Sequence, residues 1–223
     1  MHMINIAIDG PAGAGKSTLS RMLAKKLGFI YVDTGALYRA IGLYAVQKGA
    51  YTSDAKSVQA LLPQIKLALV YSDQGQRVIL CGEDVSEKIR QPEISMAASE
   101  VSAIPAVREF LLGLQKEMAE KNDVVMDGRD IGTVILPHAQ LKIFLTASKQ
   151  DRARRRTIEL KSRGMQADYE KVLADIIVRD AQDSGREIAP LKPAEDAVIV
   201  DTTGYEISKA IEKLLEITKE RLK

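Results

Sequence analysis

Ile4-Asn5-Ile6-Ala7-Ile8-Asp9-Gly10-Pro11-Ala12-Gly13-Ala14-Gly15-Lys16-Ser17-Thr18 decides the fold. Its first part is compact and rich in isoleucine, as a buried strand is, and it stops at a glycine cluster. Behind the cluster, Leu19, Met22, Leu23 and Leu27 recur at helical spacing until Gly28 ends the pattern. The segment therefore reads as strand, loop, helix. Gly10 to Ser17 matches G-x-x-x-x-G-K-[ST] in the strand-to-helix setting that this pattern requires. Glycines let successive backbone N–H groups curl around phosphate oxygens, and the following helix adds its positive N-terminal end. Lys16 is placed to reach the β and γ phosphates of a nucleotide, and the Ser17 hydroxyl to ligate Mg²⁺. The ATP-binding set expected from the loop is Gly10, Pro11, Ala12, Gly13, Ala14, Gly15, Lys16, Ser17 and Thr18.

Outward from the loop, the rhythm is strand and helix in alternation. Phe29 to Val32, Val124 to Asp127, Leu141 to Leu145 and Ala197 to Asp201 read as four more strands. Alternation of this kind predicts an α/β fold: a doubly wound, parallel five-stranded sheet with helices on both faces and ligands at the carboxyl ends of the strands. Asp9, Asp33, Asp127 and Asp201 each stand at such an end. Ile65 to Tyr71 and Arg77 to Cys81 break the rhythm. They flank a Ser-Asp-Gln-Gly turn, with Val85 to Ile89 extended after it, and predict a small antiparallel insertion. Helices are expected around Glu93 to Val101 and over Pro105 to Lys121. A last helix should bury Ile207, Ile211, Leu214, Leu215 and Leu222.

The 223 residues, 46% of them hydrophobic, suffice for one catalytic unit with an insertion. We expect core at 1–62, insertion at about 63–104, core at 105–150, a helical lid at about 151–168 and core at 169–223. The formal charge of +2 gives no field for attracting a polyanion. Ten aromatic residues, seven Tyr and three Phe, form no stacking platform in a basic stretch. No nucleic-acid partner is expected. One cysteine, Cys81, forms no intramolecular disulfide, and Ile4 to Ile8 is far too short for a leader or a membrane span. A cytoplasmic monomer without membrane contact is the expectation.

The loop alone does not separate a switch, a motor and a kinase. A guanine-reading N-K-x-D segment is missing, and the chain is short for the coupling modules of a motor. Arg39, in Asp33-Thr34-Gly35-Ala36-Leu37-Tyr38-Arg39 after the second strand, can point at an acceptor phosphate. Asp127, in Asp127-Gly128-Arg129-Asp130 after the third, is placed to order Mg²⁺-bound water. Arg152, Arg155, Arg156 and Arg163 share one helical face, where a closing lid would bring positive charge onto the transferring group. Arg152 and Arg156 join Lys16 and Arg129 as the expected catalytic residues. Arg179, Asp183 and Arg186 share a face too, as a ligand-binding row or an internal ion-pair ladder. Neither His2 nor His138 looks catalytic, and a phosphate acceptor, already an anionic nucleophile, needs no base.

Taken together, the loop, the Asp33–Arg39 segment, Asp127-Gly128-Arg129-Asp130-Ile131-Gly132-Thr133-Val134, and Arg179-Asp180 with Ala189-Pro190-Leu191 resemble the bacterial cytidylate kinases. The resemblance is to their long form, which carries a β insertion in the nucleoside monophosphate domain. It implies transfer of the γ-phosphoryl group of ATP, with Mg²⁺, to CMP or dCMP, giving ADP and CDP or dCDP. It further implies that Ser99, Arg108 and Asp130 read cytosine, that Asp183 holds the ribose, and that Arg39, Arg129 and Arg186 hold the acceptor phosphate. Thr34 and Arg179 complete the implied CMP set. Cytosine offers an amino donor at N4 with acceptors at N3 and O2, which suits a carboxylate beside a guanidinium. The runner-up is another small phosphate-loop kinase, acting on UMP, AMP, shikimate or dephospho-coenzyme A. A non-enzymatic ATP-binding module is the alternative from another class.

Overall fold

The computed structural model describes residues 3–72 and 75–222. His2 and the centre of the Ser-Asp-Gln-Gly turn, Asp73 and Gln74, lie outside the described residues. The chain divides into two compact units, one of residues 1–30 and 122–223, the other of 31–121.

The first unit is built on a sheet in the order β2-β6-β1-β7-β8. Four of the strands, β1 (Asn5–Asp9), β6 (Val124–Gly128), β7 (Leu141–Thr146) and β8 (Val198–Asp201), lie within this unit; of the fifth, β2 (Ile30–Asp33), only Ile30 does. β1 runs parallel to β6 and β7, with Ile8 opposite Asp127 and Ile143. β7 runs parallel to β8. β1 and β6 are buried along nearly their whole length because they are central and covered, and their polar residues Asp9 and Asp127 stand toward the carboxyl ends. Chain order reverses direction beside β1, which puts the ligand crevice at its carboxyl end.

That end is followed by α1 (Lys16–Leu27), which starts after Gly15 at φ 89° and stops at Gly28 at φ 73°, both left-handed positions that suit glycine. α6 (Lys149–Ser162) is capped by the Ser148 hydroxyl and α7 (Tyr169–Ser184) by the Asp168 carboxylate. The two pack through Ala153, Leu160, Val172 and Ile176. α8 (Ile207–Arg221) buries Ala210, Ile211, Leu214, Ile217 and Thr218, whereas Ile207, in its first turn, is 57% exposed and Leu215 half-buried. The expected apolar stripe is thus shifted toward Ile217.

In the second unit α2 (Thr34–Gln47), α3 (Ala55–Leu61), α4 (Pro92–Val101) and α5 (Pro105–Lys121) accompany an antiparallel sheet of β3 (Leu67–Ser72), β4 (Gly75–Leu80) and β5 (Glu83–Asp84). One core joins them, including Leu37 and Ile41 of α2, Val78 and Leu80 of β4, Val101 of α4, and Val107 and Leu111 of α5. The expected extension over Val85 to Ile89 is corrected. Asp84 accepts from the Ser86 amide and hydroxyl, and the Ile89 amide donates to Val85 O. These local bonds end the strand and curl the chain into a short turn at Lys88–Arg90. Among the described residues no helix is long and apolar enough to cross a membrane.

Candidate active site

Gly10 shows why the loop is glycine-rich. Its φ is 148°, and a Cβ there would lie 1.9 Å from the Leu145 carbonyl oxygen. Lys16, buried at the head of α1, folds back so that Nζ donates to Pro11 O at 2.8 Å. Burial first, then the nearby Arg129 guanidinium, holds its pKa well below the usual lysine range, while Asp127 acts the other way. Ser17 Oγ donates to Asp127 Oδ2 at 2.9 Å. A hydroxyl at a helix start and a carboxylate at a strand end form the hard-oxygen pair that suits Mg²⁺, a cation that keeps water and phosphate oxygens as its other ligands.

The arginines of α6 do not act as one row. Arg152 is buried and grips Asp180 of α7 with both terminal nitrogens, at 3.0 and 2.6 Å. It also donates to Ala12 O in the loop at 2.9 Å and to Ala147 O at 3.0 Å. Arg155 donates to Thr202 O at 2.6 Å and, more loosely, to Ala14 O at 3.4 Å. Arg156 and Arg163 both pair with Glu159 instead. Three kinds of partner divide the row: Asp180 for Arg152, backbone carbonyls for Arg155, and Glu159 for both Arg156 and Arg163. The sequence list held Arg152 and Arg156. Arg155, which touches the loop, stood in the row but outside the expected catalytic set, and Asp180, which braces Arg152, was noted only beside Arg179.

Past β6, Arg129 Nε donates to Asp183 Oδ2 at 2.7 Å, and Arg186 Nη2 holds the other oxygen. Burial alone would raise the Asp183 carboxyl, but the guanidiniums of Arg129, Arg186 and Arg179 outweigh it and hold the group below its ordinary value. Of the two expectations for this row, the ion-pair ladder is present, and it joins Arg129. Asp130 is buried at the entrance to a wide helical turn over Ile131–Ile135. Asp9, noted in the sequence only as a strand end, accepts from the Ile131 and Gly132 amides at 2.8 Å each. Burial drives its carboxyl up to about 6, against those two bonds. Asp130 pushes it the same way, and Lys16 opposes.

The second unit holds the remaining candidates. Asp33 caps α2 through Ala36 and binds Arg39 Nη2 at 2.8 Å. Gly35 makes room for this, because a Cβ there would sit 3.1 Å from Arg39 Nη1. The Arg39 Nε is buried with no hydrogen-bond partner among the described residues. Thr34 is buried in the first turn of α2. Ser99 is buried on α4, and its carbonyl accepts from Ser102 Oγ at 2.8 Å. Ser102 O accepts in turn from Arg108 Nη1 at 3.2 Å, and that guanidinium lies 5.8 Å from the Tyr38 ring centroid. Ser99 and Arg108 therefore belong to one cluster, with Tyr38 and Ser102 as members that the sequence did not single out.

A likeness to solved structures supports the fold. An uncharacterized protein from Eubacterium ventriosum superposes with a TM-score of 0.52 at 14% identity, over 98% of this chain and 100% of that one. Sequence carries further. A protein of Caldicellulosiruptor bescii named cytidylate kinase is 52% identical over 97% of this chain and 96% of its own length. Those of Syntrophotalea carbinolica and Carboxydothermus hydrogenoformans, with the same name, are 50% and 49% identical over 97% and 96% of this chain and 92% and 96% of their own lengths. The family model described as cytidylate kinase matches residues 6–220, a span that contains the phosphate loop, the Arg129–Asp183–Arg186 network and the Ser99–Arg108 cluster. With this coverage and identity, the chain belongs to the cytidylate kinase family.

Proposed function

We propose that this protein transfers the γ-phosphoryl group of ATP to CMP or dCMP, giving ADP and CDP or dCDP, as a cytoplasmic monomer. Family membership across residues 6–220 is the observation that carries the acceptor. The loop around Lys16 supports the donor side. Mg²⁺ would be held by Ser17 and, through water, by Asp127, and when bound it offsets charge on the phosphates.

The acceptor phosphate attacks as an anion, so the protein supplies alignment and positive charge rather than a base. Arg129, already oriented by Asp183, faces the same rim of the sheet as Lys16. Arg39 offers a buried, unmatched donor at Nε, the kind of group that a phosphate oxygen satisfies. We assign Ser99, Arg108 and Asp130 to the cytosine ring, Asp183 to the ribose, Arg186 with Arg39 and Arg129 to the acceptor phosphate, and Arg179 and Thr34 to the surrounding contacts. Uracil would turn its O4 toward the Asp130 carboxylate, a mismatch of about 1–3 kcal/mol. Residues 63–104 serve as the acceptor-binding insertion. Residues 151–168 serve as a lid, with Arg152 and Arg156 as its charges. An ADP-release assay with MgATP and a panel of acceptors tests the reading. CMP and dCMP should give the highest kcat/KM, and turnover with shikimate or AMP but not CMP would refute it.

A further inference from the structure

We infer that Asp9 is a positioning residue: its carboxylate caps the Ile131–Ile135 turn from 122 positions away and so fixes how Arg129 and Asp130 leave β6. This rests on the reading above, in which those two residues meet the acceptor nucleotide.

The first amides of any helical turn need acceptors from outside it. Aspartate at the entrance usually provides one from its own side chain. Here the entrance residue is Asp130, and its side chain makes no cap bond to its own turn. Asp9 takes that role, with Oδ1 accepting from Ile131 and Oδ2 from Gly132, both at 2.8 Å. The geometry is two-point, so it sets the direction of the turn as well as its distance from β1. Asp130 then sits at φ −146°, ψ 25°, with its carboxylate not folded onto its own amides.

The surroundings are fitted to this bond pair. A Cβ on Gly132 would lie 3.4 Å from Asp9 Oδ2 and 3.1 Å from Lys142 Cδ, so a glycine admits both groups. The Lys142 stem runs under the turn, and its ammonium holds Pro137 O at 2.6 Å and Asp196 at 2.9 Å. The segment from Arg129 to Pro137 is thus tied at its start by Asp9 and at its end by Lys142. A carboxylate that is only 4% exposed is costly to keep unless both oxygens are satisfied, which argues that the two bonds are a requirement of the site.

Asp9→Asn leaves the shape but puts an amide N–H₂ against one backbone N–H. The KM for CMP should rise about tenfold, as expected for losing one charge-assisted bond. The ratio of kcat/KM for CMP over UMP should narrow, while the KM for MgATP stays within about threefold. A uniform loss on both substrates, or an unchanged KM for CMP, would overturn the assignment. If the variant does not fold, amide exchange on the parent decides. The Ile131 and Gly132 amides should exchange as slowly as those of β1, and exchange at the rate of an exposed loop would refute the cap. The acceptor panel on the parent tests the acceptor independently, so a wrong acceptor and a wrong role for Asp9 give different results.

Discussion

Lys16 is held by one backbone carbonyl inside the loop that its neighbours form. Lys16→Ala should lower kcat by about a hundredfold or more, the usual effect of removing one charge-stabilising donor, and leave the KM for CMP nearly unchanged. Steady-state kinetics with each substrate varied checks this, and an unchanged kcat would remove Lys16 from the reaction. Asp130→Asn should reduce the preference for CMP over UMP about tenfold, because an amide can present a donor to O4 where the carboxylate cannot. An unchanged ratio of kcat/KM would take Asp130 out of base reading. The phosphate loop was legible residue by residue because its chemistry depends on spacing within one segment. Arg155 could not be told from its neighbours, because tertiary packing is what brings Thr202 within its reach, whereas the Arg156–Glu159 pair is three positions apart on one helix. Asp9 was hidden for the same reason, since its partners stand more than 120 positions away.

Among the elements, α5 could be read to the residue, Pro105 to Lys121, because proline opens it and its buried positions, Val107, Leu111, Gln115 and Met118, recur at helical spacing. β5 could not, since Asp84 and Ser86 form a local turn that competes with extension. Nor does a sequence pattern reveal how closely two helices approach. Gly42 of α2 lies close against α4, where a Cβ would meet the Ala97 backbone and side chain at 3.1 Å. Gly42→Leu should force these helices apart, with a loss of about 1–3 kcal/mol in the stability of this unit. Because α2 carries Arg39 and α4 carries Ser99, the KM for CMP should rise with it. Thermal unfolding followed by circular dichroism, paired with CMP titration, checks both effects, and a variant as stable as the parent would contradict the packing argument.

At the scale of the molecule, the grouping of residues 31–121 follows a shared apolar core that α2 and α5 build with the antiparallel sheet. The period of each element told which residues face inward, but not which elements share one interior. Charge is distributed just as unevenly. Asp9 and Asp183 both lie in the unit of residues 1–30 and 122–223, yet they couple to pH with opposite sign. Burial, with Asp130 adding repulsion, holds the Asp9 carboxyl at about 6 in the folded protein, so the folded state takes up a proton before the unfolded chain does. As pH falls from neutrality through about 6 toward about 4, stability should therefore rise by about 3 kcal/mol from this group. Asp183 works the other way, because burial is outweighed by Arg129, Arg186 and Arg179 and its carboxyl is held low. Its contribution is present above the ordinary carboxylate value of about 3.9 and is lost as pH falls below that, through its own lower value. Denaturant unfolding followed by circular dichroism should thus give a stability maximum on the acid side of neutrality, with a steep decline at lower pH. In Asp9→Asn the rise between about pH 6 and 4 should disappear. In Asp183→Asn stability should drop by about 3 kcal/mol near neutrality, since two buried guanidiniums lose their carboxylate, and the acid decline should flatten. A parent whose stability falls steadily from neutrality downward would contradict the assigned state of Asp9.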